Sequence, residues 1–347
     1  MLDNNKLISK IKENQTIVNE FIKLIDQIKF DMDHSSTKQE QIKHSFRLKQ
    51  INNVLKILIN FTKPIKSIDD VKNIEGIGKG SIDRIKEILD TGYLSEISSK
   101  NDKQQYVKYT DELQQIIGIG PRKAFELVND YNITSIEQLK QEYKKGNIEL
   151  TNEILLGLKY HNIYQQNIPR AEIDLINIFL NNIVKQVDQS LQHIICGSYR
   201  REKPFSNDID VLLTSTKIQT KEKLESSINY LRILVDKLKS IDFLVDDLTD
   251  KDYVVKYMGF CKYQNFPIRR IDIRYVPYES YYSSLLYFTG SGDFNSKMRS
   301  VAKELGFLLN EYGLFIYKNN KPVKIKINSE KDIFDNIGME YIVPKLR

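Results

Sequence analysis

The chain has 347 residues, too many for one compact core, and this length predicts two to four domains. Charged residues make up 28% and hydrophobic residues 41%, an ordinary balance for a soluble globular protein, and the net charge of +6 only mildly favours an anionic partner. The two cysteines, Cys196 and Cys261, are too few for a disulfide framework or a cysteine-based zinc site, which fits a reducing compartment.

Neither a signal peptide nor a membrane span is predicted. The first residues, Met1 to Lys6, lack the basic-then-apolar pattern of a signal peptide. No apolar run approaches the length needed to cross a bilayer. We therefore expect an intracellular, soluble protein without a membrane partner.

Residues 1–62 are predicted to be mostly helical. Apolar side chains recur there at three- and four-residue steps, at Ile17, Phe21, Leu24, Ile25 and Ile28 and again at Ile51, Val54, Leu55 and Leu58. Pro64 interrupts this pattern, and Ser67 with Asp70 predicts the start of a new helix.

A Gly-Ile-Gly sequence then occurs twice, at 76–78 and at 118–120, each time before a helical pattern. Two glycines permit a tight turn that leaves backbone N–H groups and the positive helix end open to a phosphate. Such a contact ignores base identity and suits a sequence-independent grip on nucleic acid. The alternative is a glycine turn that only joins two helices, and the second copy makes this alternative weaker.

The spacing of the apolar residues changes after a short linker at 157–170. Three short β-branched runs, at 194–196, 209–213 and 271–276, predict strands, and residues 220–240 predict an amphipathic helix between two of them. A segment rich in tyrosine follows Pro277.

Three carboxylates fall on these predicted strands. Asp208 and Asp210 are two residues apart and should point to the same side of one strand. Asp272 lies in an Ile-Asp-Ile run, where an acid needs a partner. Neighbouring carboxylates repel unless a cation lies between them, and Mg²⁺ prefers oxygen ligands. The alternative is an ion pair of Asp272 with Arg270 or Arg274.

The Gly197-Ser198 pair follows a predicted strand directly and supplies amide and hydroxyl donors for phosphate oxygens. Arg200 and Arg201 come next and would supply charge to a triphosphate. Together with the three acids, this pattern indicates nucleotidyl transfer.

An aromatic segment ends in a glycine turn, Tyr287 to Gly292. Core packing is the ordinary reason for such a segment, but an aromatic wall can also stack on a sugar or screen it. Asn295 and Arg299 are four residues apart and share a helix face, which could reach a minor groove.

Over nearly its whole length the sequence resembles the family X DNA polymerases of the DNA polymerase beta type. The Gly197-Ser198-X-Arg200-Arg201 and Asp208-X-Asp210 motifs are typical of a broad nucleotidyltransferase superfamily. Three further segments narrow the resemblance to this family: Arg269 to Arg274, Tyr287 to Ser291, and Asn310-Glu311-Tyr312.

The resemblance implies a function for each matching residue. Asp208, Asp210 and Asp272 would bind two Mg²⁺ ions, for which Mn²⁺ can substitute, and Asp272 would lie nearest the primer 3′-OH. The implied nucleotide-binding residues are Arg170, Gly197, Ser198, Arg201, Ser206, Asn207, Tyr287, Phe288, Gly290 and Asn295. Arg274, Glu311 and Tyr312 would take part in closing the site.

DNA would bind at Gly76, Gly78, Lys79, Gly118, Gly120, Arg270 and Arg299, as the resemblance implies. The Gly-Ile-Gly repeats match helix-hairpin-helix motifs. Each would hold Na⁺ or K⁺ through backbone carbonyls, at Lys72, Ile74 and Ile77 and at Gln114, Ile116 and Ile119.

One departure from the family pattern concerns 5′-deoxyribose phosphate lyase activity. Arg84 stands where many members carry a Schiff-base lysine, Gly80 replaces a phosphate-binding lysine, and Ile51 replaces a tyrosine. A guanidinium stays protonated and cannot be that nucleophile. Lyase activity is therefore expected to be absent unless Lys79 or Lys86 substitutes.

The implied fold is a multidomain α+β protein. Residues 1–98 would form a helical lyase-like domain with the first helix-hairpin-helix, and 99–169 a fingers-like domain with the second. Residues 170–277 would form a nucleotidyltransferase palm with a mixed β-sheet, and 278–347 a small α+β thumb.

The implied function is template-directed, gap-filling DNA synthesis of the repair type, by a monomer that binds gapped or primer-template DNA and dNTPs. Its location would be the nucleus of a cell or, for a viral protein, the host cell or virion. Two alternatives stay open: a template-independent terminal nucleotidyltransferase (or one that adds ribonucleotides), and a non-catalytic DNA-binding scaffold.

Overall fold

The computed structural model describes residues 7–97, 101–164, 166–249, 253–318 and 321–347. The chain divides into two compact units, residues 1–158 and 159–347. The finer division into four parts predicted from the sequence stays a prediction.

The first unit begins with two long helices, α1 (Gln15–Asp33) and α2 (Lys38–Asn60). Thr37 and Glu40 form a capping box that fixes the start of α2. The apolar stripes predicted from the sequence face each other, and all nine residues that form them are buried. Ser67 and Asp70 cap only a short 3₁₀ turn at Ile68–Asp70, and the next full helix, α3 (Lys79–Thr91), begins after the first Gly-Ile-Gly sequence.

Four more helices follow: α4 (Asn101–Leu113), α5 (Pro121–Asn129), α6 (Ile136–Lys144) and α7 (Asn152–Tyr164). They enclose a separate apolar cluster that includes Leu113, Ile119, Leu127 and Leu139. The second Gly-Ile-Gly sequence connects α4 to α5, so a helix follows each copy.

A two-stranded ribbon opens the second unit. It pairs β1 (Ile168–Pro169) with β3 (Phe205–Ser206), and the segment between them contains α8 (Arg170–Val187), β2 (Leu191–Ile195) and the single-turn helix α9 (Gly197–Arg200). The ribbon thereby places the start of α8 beside the segment that leads into the next strand.

The main sheet has five strands in the order β2-β4-β7-β6-β5. They are β4 (Ile209–Ser215), β5 (Leu244–Asp247), β6 (Lys256–Cys261) and β7 (Arg269–Tyr275), together with β2. Strands β4 and β7 are parallel and the other pairs are antiparallel, which makes the sheet mixed. The helices and this sheet confirm the expected α+β class.

The single helix predicted over 220–240 is wrong in detail. Two helices occupy this range, α10 (Lys221–Ser226) and α11 (Tyr230–Ser240). Asn229 separates them because its side chain accepts a hydrogen bond from the Arg232 N–H and caps α11. Helices α8 and α11 supply the core that covers one face of the sheet, through residues such as Leu180 and Leu234.

The remaining chain forms a smaller α+β layer. Helices α12 (Tyr281–Thr289) and α13 (Gly292–Glu304) precede a three-stranded antiparallel sheet, and α14 (Glu330–Asn336) follows it. The strands are β8 (Phe307–Asn310), β9 (Gly313–Lys318) and β10 (Lys321–Lys324). Met298, Leu314 and Phe334 lie in its core. In the described parts of the chain, no helix has the length and apolarity needed to cross a membrane.

Candidate active site

Three acidic side chains converge at the junction of β4 and β7. Asp210 and Asp272 are register partners on these two parallel strands. Asp208 lies in the bend just before β4, not within the strand as the sequence pattern predicted. The register alone therefore brings together carboxylates that are far apart in sequence.

Burial and mutual repulsion raise the pKa of two of these carboxyl groups. Burial, followed by the charges of Asp208 and Asp272, raises the pKa of Asp210 to about 7. Burial also raises the pKa of Asp208, with the Asp272 charge as the second cause. A cation between them would offset both effects.

Asp272 forms the ion pair that was the alternative to metal binding. Its Oδ2 accepts a hydrogen bond from Arg270 Nη2 at 3.0 Å. Among the described residues, no group of three or more His, Cys, Asp or Glu side chains is already arranged to hold a metal. The carboxylate oxygens are nevertheless the hard donors that Mg²⁺ requires. The residue types therefore suit a divalent cation, while metal binding by all three acids stays a prediction.

Gly197 makes room for Asp210. A Cβ at this position would lie 2.3 Å from Asp210 Oδ2, and the φ of +55° is in the left-handed region that favours glycine. The predicted flexible turn is instead the start of α9, so the donors after Gly197 are fixed in place. Ser198 donates a hydrogen bond to the Ser206 hydroxyl at 2.8 Å, which joins two residues predicted to bind nucleotide.

The two arginines of this turn differ in their partners. Arg200 contacts Glu330 at 2.6 Å and the Thr289 hydroxyl at 2.7 Å, so the prediction that it supplies charge to a triphosphate is wrong. Arg201 donates to the Thr289 carbonyl, while its Nε is buried and has no hydrogen-bond partner among the described residues. Burial lowers the pKa of Arg201. Arg200 is thus held by Glu330, whereas Arg201 Nε lacks a partner in the described ranges.

Arg170 is the first residue of α8 and lies beside the same turn. Its Nη1 donates to the Tyr199 carbonyl at 2.6 Å, and its backbone N–H donates to the Pro204 carbonyl at 3.0 Å. The ribbon pairs Ile168 with Ser206, and the exposed Asn207 follows immediately. Arg170, Ser198 and Ser206 are thus neighbours, as their predicted shared function requires.

The aromatic segment packs against α13. The Tyr287 and Phe288 rings meet edge to face at 5.1 Å between centroids, and the Arg299 guanidinium lies over Tyr287 at 4.9 Å. Asn295 donates to the Tyr287 carbonyl at 2.7 Å. A small cavity is lined by Tyr287, Asn295 and Arg299 and also by Asn310. Gly290 follows this group and lies against Arg201.

The three residues predicted to close the site occupy different elements. The Arg274 guanidinium lies over the Phe288 ring at 5.7 Å. Glu311 and Tyr312 form the β8–β9 turn, and their carbonyls accept hydrogen bonds from Ser284 and Ser280. Within the described ranges, no hydrogen bond joins Arg274 to Glu311 or Tyr312, so any closure network among them would have to form by rearrangement.

Comparison with known proteins identifies the fold around this site. Three family models match: DNA polymerase beta palm over residues 167–278, DNA polymerase beta thumb over 284–347, and the fingers domain of DNA polymerase lambda over 111–165.

Curated relatives agree with these models. The chain is 30% identical to DNA polymerase lambda of Rattus norvegicus over 303 residues, which cover 84% of this chain and 50% of that protein. It is 29% identical to DNA polymerase lambda of Arabidopsis thaliana, over 84% of this chain and 56% of the relative. It is 23% identical to DNA nucleotidylexotransferase of Xenopus laevis, over 81% and 60%.

The chain belongs to the family X DNA polymerases of the beta type. It spans about half the length of the curated polymerase lambda relatives that it matches. The resemblance stated from the sequence is thereby confirmed.

The two hairpins of this family X chain have matching geometry. Gly76 and Gly118 have φ of +93° and +89°, and Gly78 and Gly120 cap the helices that follow. The Ile77 and Ile119 N–H groups donate to the Ile74 and Ile116 carbonyls, at 3.1 and 3.0 Å. The glycines and Lys79 are exposed. This geometry favours the phosphate grip, while cation binding by the carbonyls stays a prediction.

Arg84, which the resemblance aligns with the family's Schiff-base lysine, is tightly paired. Arg84 forms a salt bridge with Glu96 through Nε and donates from Nη1 to the Gly80 carbonyl at 3.0 Å. Glu96 also accepts from Arg47 at 2.7 Å. The side chain that replaces the nucleophile is therefore held by structural contacts.

Sequence reasoning missed two residues beside the family X motifs. Glu330 is buried between Arg200 and Arg347, and Arg347 Nη1 donates to it at 2.7 Å. Tyr199 contacts Arg170. Tyr199 was detectable as the variable position of the Gly-Ser-X-Arg-Arg motif, but no local signal predicts that Glu330 meets a residue 130 positions earlier.

Proposed function

We propose that this chain is a template-directed DNA polymerase of the repair type, which fills short gaps in DNA as in base excision repair. The reaction is attack of a primer 3′-OH on the α-phosphate of a dNTP, with release of pyrophosphate. The observation that carries this proposal is the register of Asp210 opposite Asp272, with Asp208 beside them.

Each group of residues supplies one part of the reaction. Asp208, Asp210 and Asp272 would hold two divalent cations, Mg²⁺ or Mn²⁺, which when bound would polarise the reacting oxygens and neutralise developing charge. Asp272 would accept the primer proton. Arg170, Ser198 and Arg201 would orient the triphosphate, and most of the rate would come from positioning and charge neutralisation.

The DNA substrate would be held without reading its sequence. In both hairpins, the exposed glycines would offer backbone N–H groups to DNA phosphates. Na⁺ or K⁺ bound by the hairpin carbonyls would strengthen that contact. We propose that the protein acts as a monomer and that Tyr287 and Phe288 favour deoxyribose in the incoming nucleotide.

The decisive assay is incorporation of one dNTP into DNA with a one-nucleotide gap, with Mg²⁺ and without it. We expect Mg²⁺-dependent incorporation of the nucleotide complementary to the template. A protein that binds gapped DNA but incorporates nothing with either Mg²⁺ or Mn²⁺ is instead a non-catalytic scaffold, and the proposal is then wrong.

A second candidate is template-independent nucleotide addition. It is favoured by the 23% identity to a protein named DNA nucleotidylexotransferase. Single-stranded primer offered in parallel with gapped DNA separates the two activities. Extension of the single strand at a rate equal to gap filling would favour the transferase.

Lyase activity is proposed to be absent, because Arg84 is tied to Glu96 and cannot form a Schiff base. Borohydride trapping on DNA that carries a 5′-deoxyribose phosphate tests this directly. Trapped protein would show that another amine replaces the missing nucleophile, and Lys79→Ala and Lys86→Ala would show which.

A further inference from the structure

Tyr199 makes two contacts with the Arg170 side chain. The guanidinium carbon of Arg170 lies 4.2 Å from the centroid of the Tyr199 ring, within the range of a cation–π interaction. Its Nη1 donates to the Tyr199 carbonyl at 2.6 Å. A separate hydrogen bond, from the Arg170 backbone N–H to the Pro204 carbonyl, fixes its main chain.

Helix α8, which begins with Arg170, also fixes the Tyr199 ring. Its hydroxyl donates to Asp174 Oδ1 at 2.7 Å, and Asp174 lies four residues after Arg170 on α8. Residues four apart on a helix share one face. Tyr199 therefore lies across one helical turn, with its ring under the arginine and its hydroxyl on the carboxylate.

A cavity beside Arg170 gives its side chain room to adopt other conformations. Arg170 and Tyr199 border a cavity of about 500 Å³, which Asn177, Asn181 and His193 also line. An arginine side chain has several rotatable bonds and loses considerable entropy when it is fixed. Without the Tyr199 ring, the guanidinium would have room to turn into that cavity.

The residues next to Tyr199 in sequence connect this arrangement to the residues proposed to bind the nucleotide. Ser198, which precedes Tyr199, bonds to Ser206 at 2.8 Å, and Ser206 pairs with Ile168 two residues before Arg170. Arg200 and Arg201, which follow Tyr199, both contact Thr289. One turn of chain thus has four successive side chains fixed by contacts with other segments.

We propose that Tyr199 and Asp174 are positioning residues that hold Arg170 ready for the phosphates of an incoming nucleoside triphosphate. This inference rests on the proposed function, since it assumes that Arg170 contacts the triphosphate. It assigns Tyr199 and Asp174 to nucleotide affinity, not to the chemical step.

Single-turnover incorporation on one-nucleotide-gapped DNA, over a range of dNTP concentrations, separates affinity from chemistry. Tyr199→Leu should raise the apparent Kd for dNTP by about tenfold, the scale of a partly desolvated cation–π contact, and leave the maximal rate nearly unchanged. Tyr199→Phe keeps the ring and Asp174→Asn keeps the shape, so each should raise Kd by only about two- to threefold.

A double-mutant cycle with Arg170→Ala identifies the route of the effect. If Tyr199 acts through Arg170, Tyr199→Leu should no longer change the Kd in the Arg170→Ala background. Tyr230→Phe is the matched control, because Tyr230 also donates from its hydroxyl to an aspartate, Asp188, at 3.0 Å in the same unit. It should leave the Kd unchanged.

Three results would overturn the inference: an unchanged Kd in Tyr199→Leu, a fall confined to the maximal rate, or equal effects of Tyr199→Leu with and without Arg170. A wild-type protein that incorporates nothing would overturn the proposed function instead. In that case the same double-mutant cycle is measured as equilibrium binding of dNTP to the complex of the protein with gapped DNA that has a dideoxy-terminated primer. This measurement tests the positioning of Arg170 independently of the polymerase activity.

Discussion

Asp210 lies directly opposite Asp272 on the adjacent parallel strand, and the Asp272 carboxylate is held by Arg270 at 3.0 Å. The site therefore has two acids side by side, and Arg270 supplies a counter-ion to one of them. At the proposed metal site, cations would compete with Arg270 for the Asp272 oxygens, so we expect metal binding and the release of Arg270 to occur together.

Replacing Asp272 tests the metal site. Asp272→Ala should lower the single-turnover rate of incorporation by about 10³-fold or more, because it removes a ligand and a proton acceptor at once. Affinity for gapped DNA, measured by fluorescence anisotropy, should stay nearly unchanged. Asp236→Ala, at an exposed carboxylate of α11, is the control. Turnover near the wild-type rate in Asp272→Ala would refute the proposed role of Asp272 in the metal site.

Gly197 tests how closely the turn fits Asp210. Gly197→Ala should lower incorporation by about 100-fold, because its Cβ would displace Asp210 and a small misplacement of a reacting group is costly. Gly306→Ala is the matched control: Gly306 also has positive φ, +79°, but nothing lies within 4 Å of its Cβ. The two variants share backbone strain and differ in the clash, so equal activities would contradict the prediction.

Glu330 tests the buried charge network. Glu330→Gln leaves Arg200 and Arg347 facing each other without a carboxylate, and we expect a loss of about 3–5 kcal/mol in the free energy of unfolding in urea. Glu225→Gln breaks the exposed pair with Lys221 at 3.6 Å and should cost less than about 1 kcal/mol. Similar losses in the two variants would show that the buried network contributes little.

The buried carboxyl group of Asp26 on α1 should make the free energy of unfolding depend on pH. Burial is the main cause that raises its pKa to about 6, and the charges of Lys29, Asp111 and Lys108 act in both directions. Because the folded pKa is the higher one, its contribution is fully present below about pH 4 and is lost as pH rises through 6.

Asp26→Asn should remove this dependence. Relative to the wild type, the variant should gain about 2–3 kcal/mol in free energy of unfolding between pH 4 and pH 7. Urea denaturation at a series of pH values measures the difference. Asp90→Asn, at an exposed position of α3, is the control and should parallel the wild type. A parallel course for Asp26→Asn would show that Asp26 is not responsible.

Features set by nearby residues were predictable from the sequence. The Gly-Ile-Gly turns require positive φ at Gly76 and Gly118, and both have it. The α1 and α2 stripes follow from helical periodicity. Strand β7 alternates buried and half-buried residues, as the Ile-Asp-Ile pattern predicts.

Features set by distant contacts were not predictable in the same way. The periodic pattern over 220–240 conceals the break at Asn229, because an N-cap interrupts a helix without changing which residues are apolar. Arg200 resembles Arg201 in sequence, and only the fold decides that one pairs with Glu330 while the other keeps a donor free.

The space beside Gly197 has a practical use for reading related genomes. Because a Cβ there would lie 2.3 Å from Asp210 Oδ2, a homologue with any other residue at this position would have to hold that carboxylate elsewhere. A survey of homologues could use that one position to find chains in which this carboxylate is arranged differently.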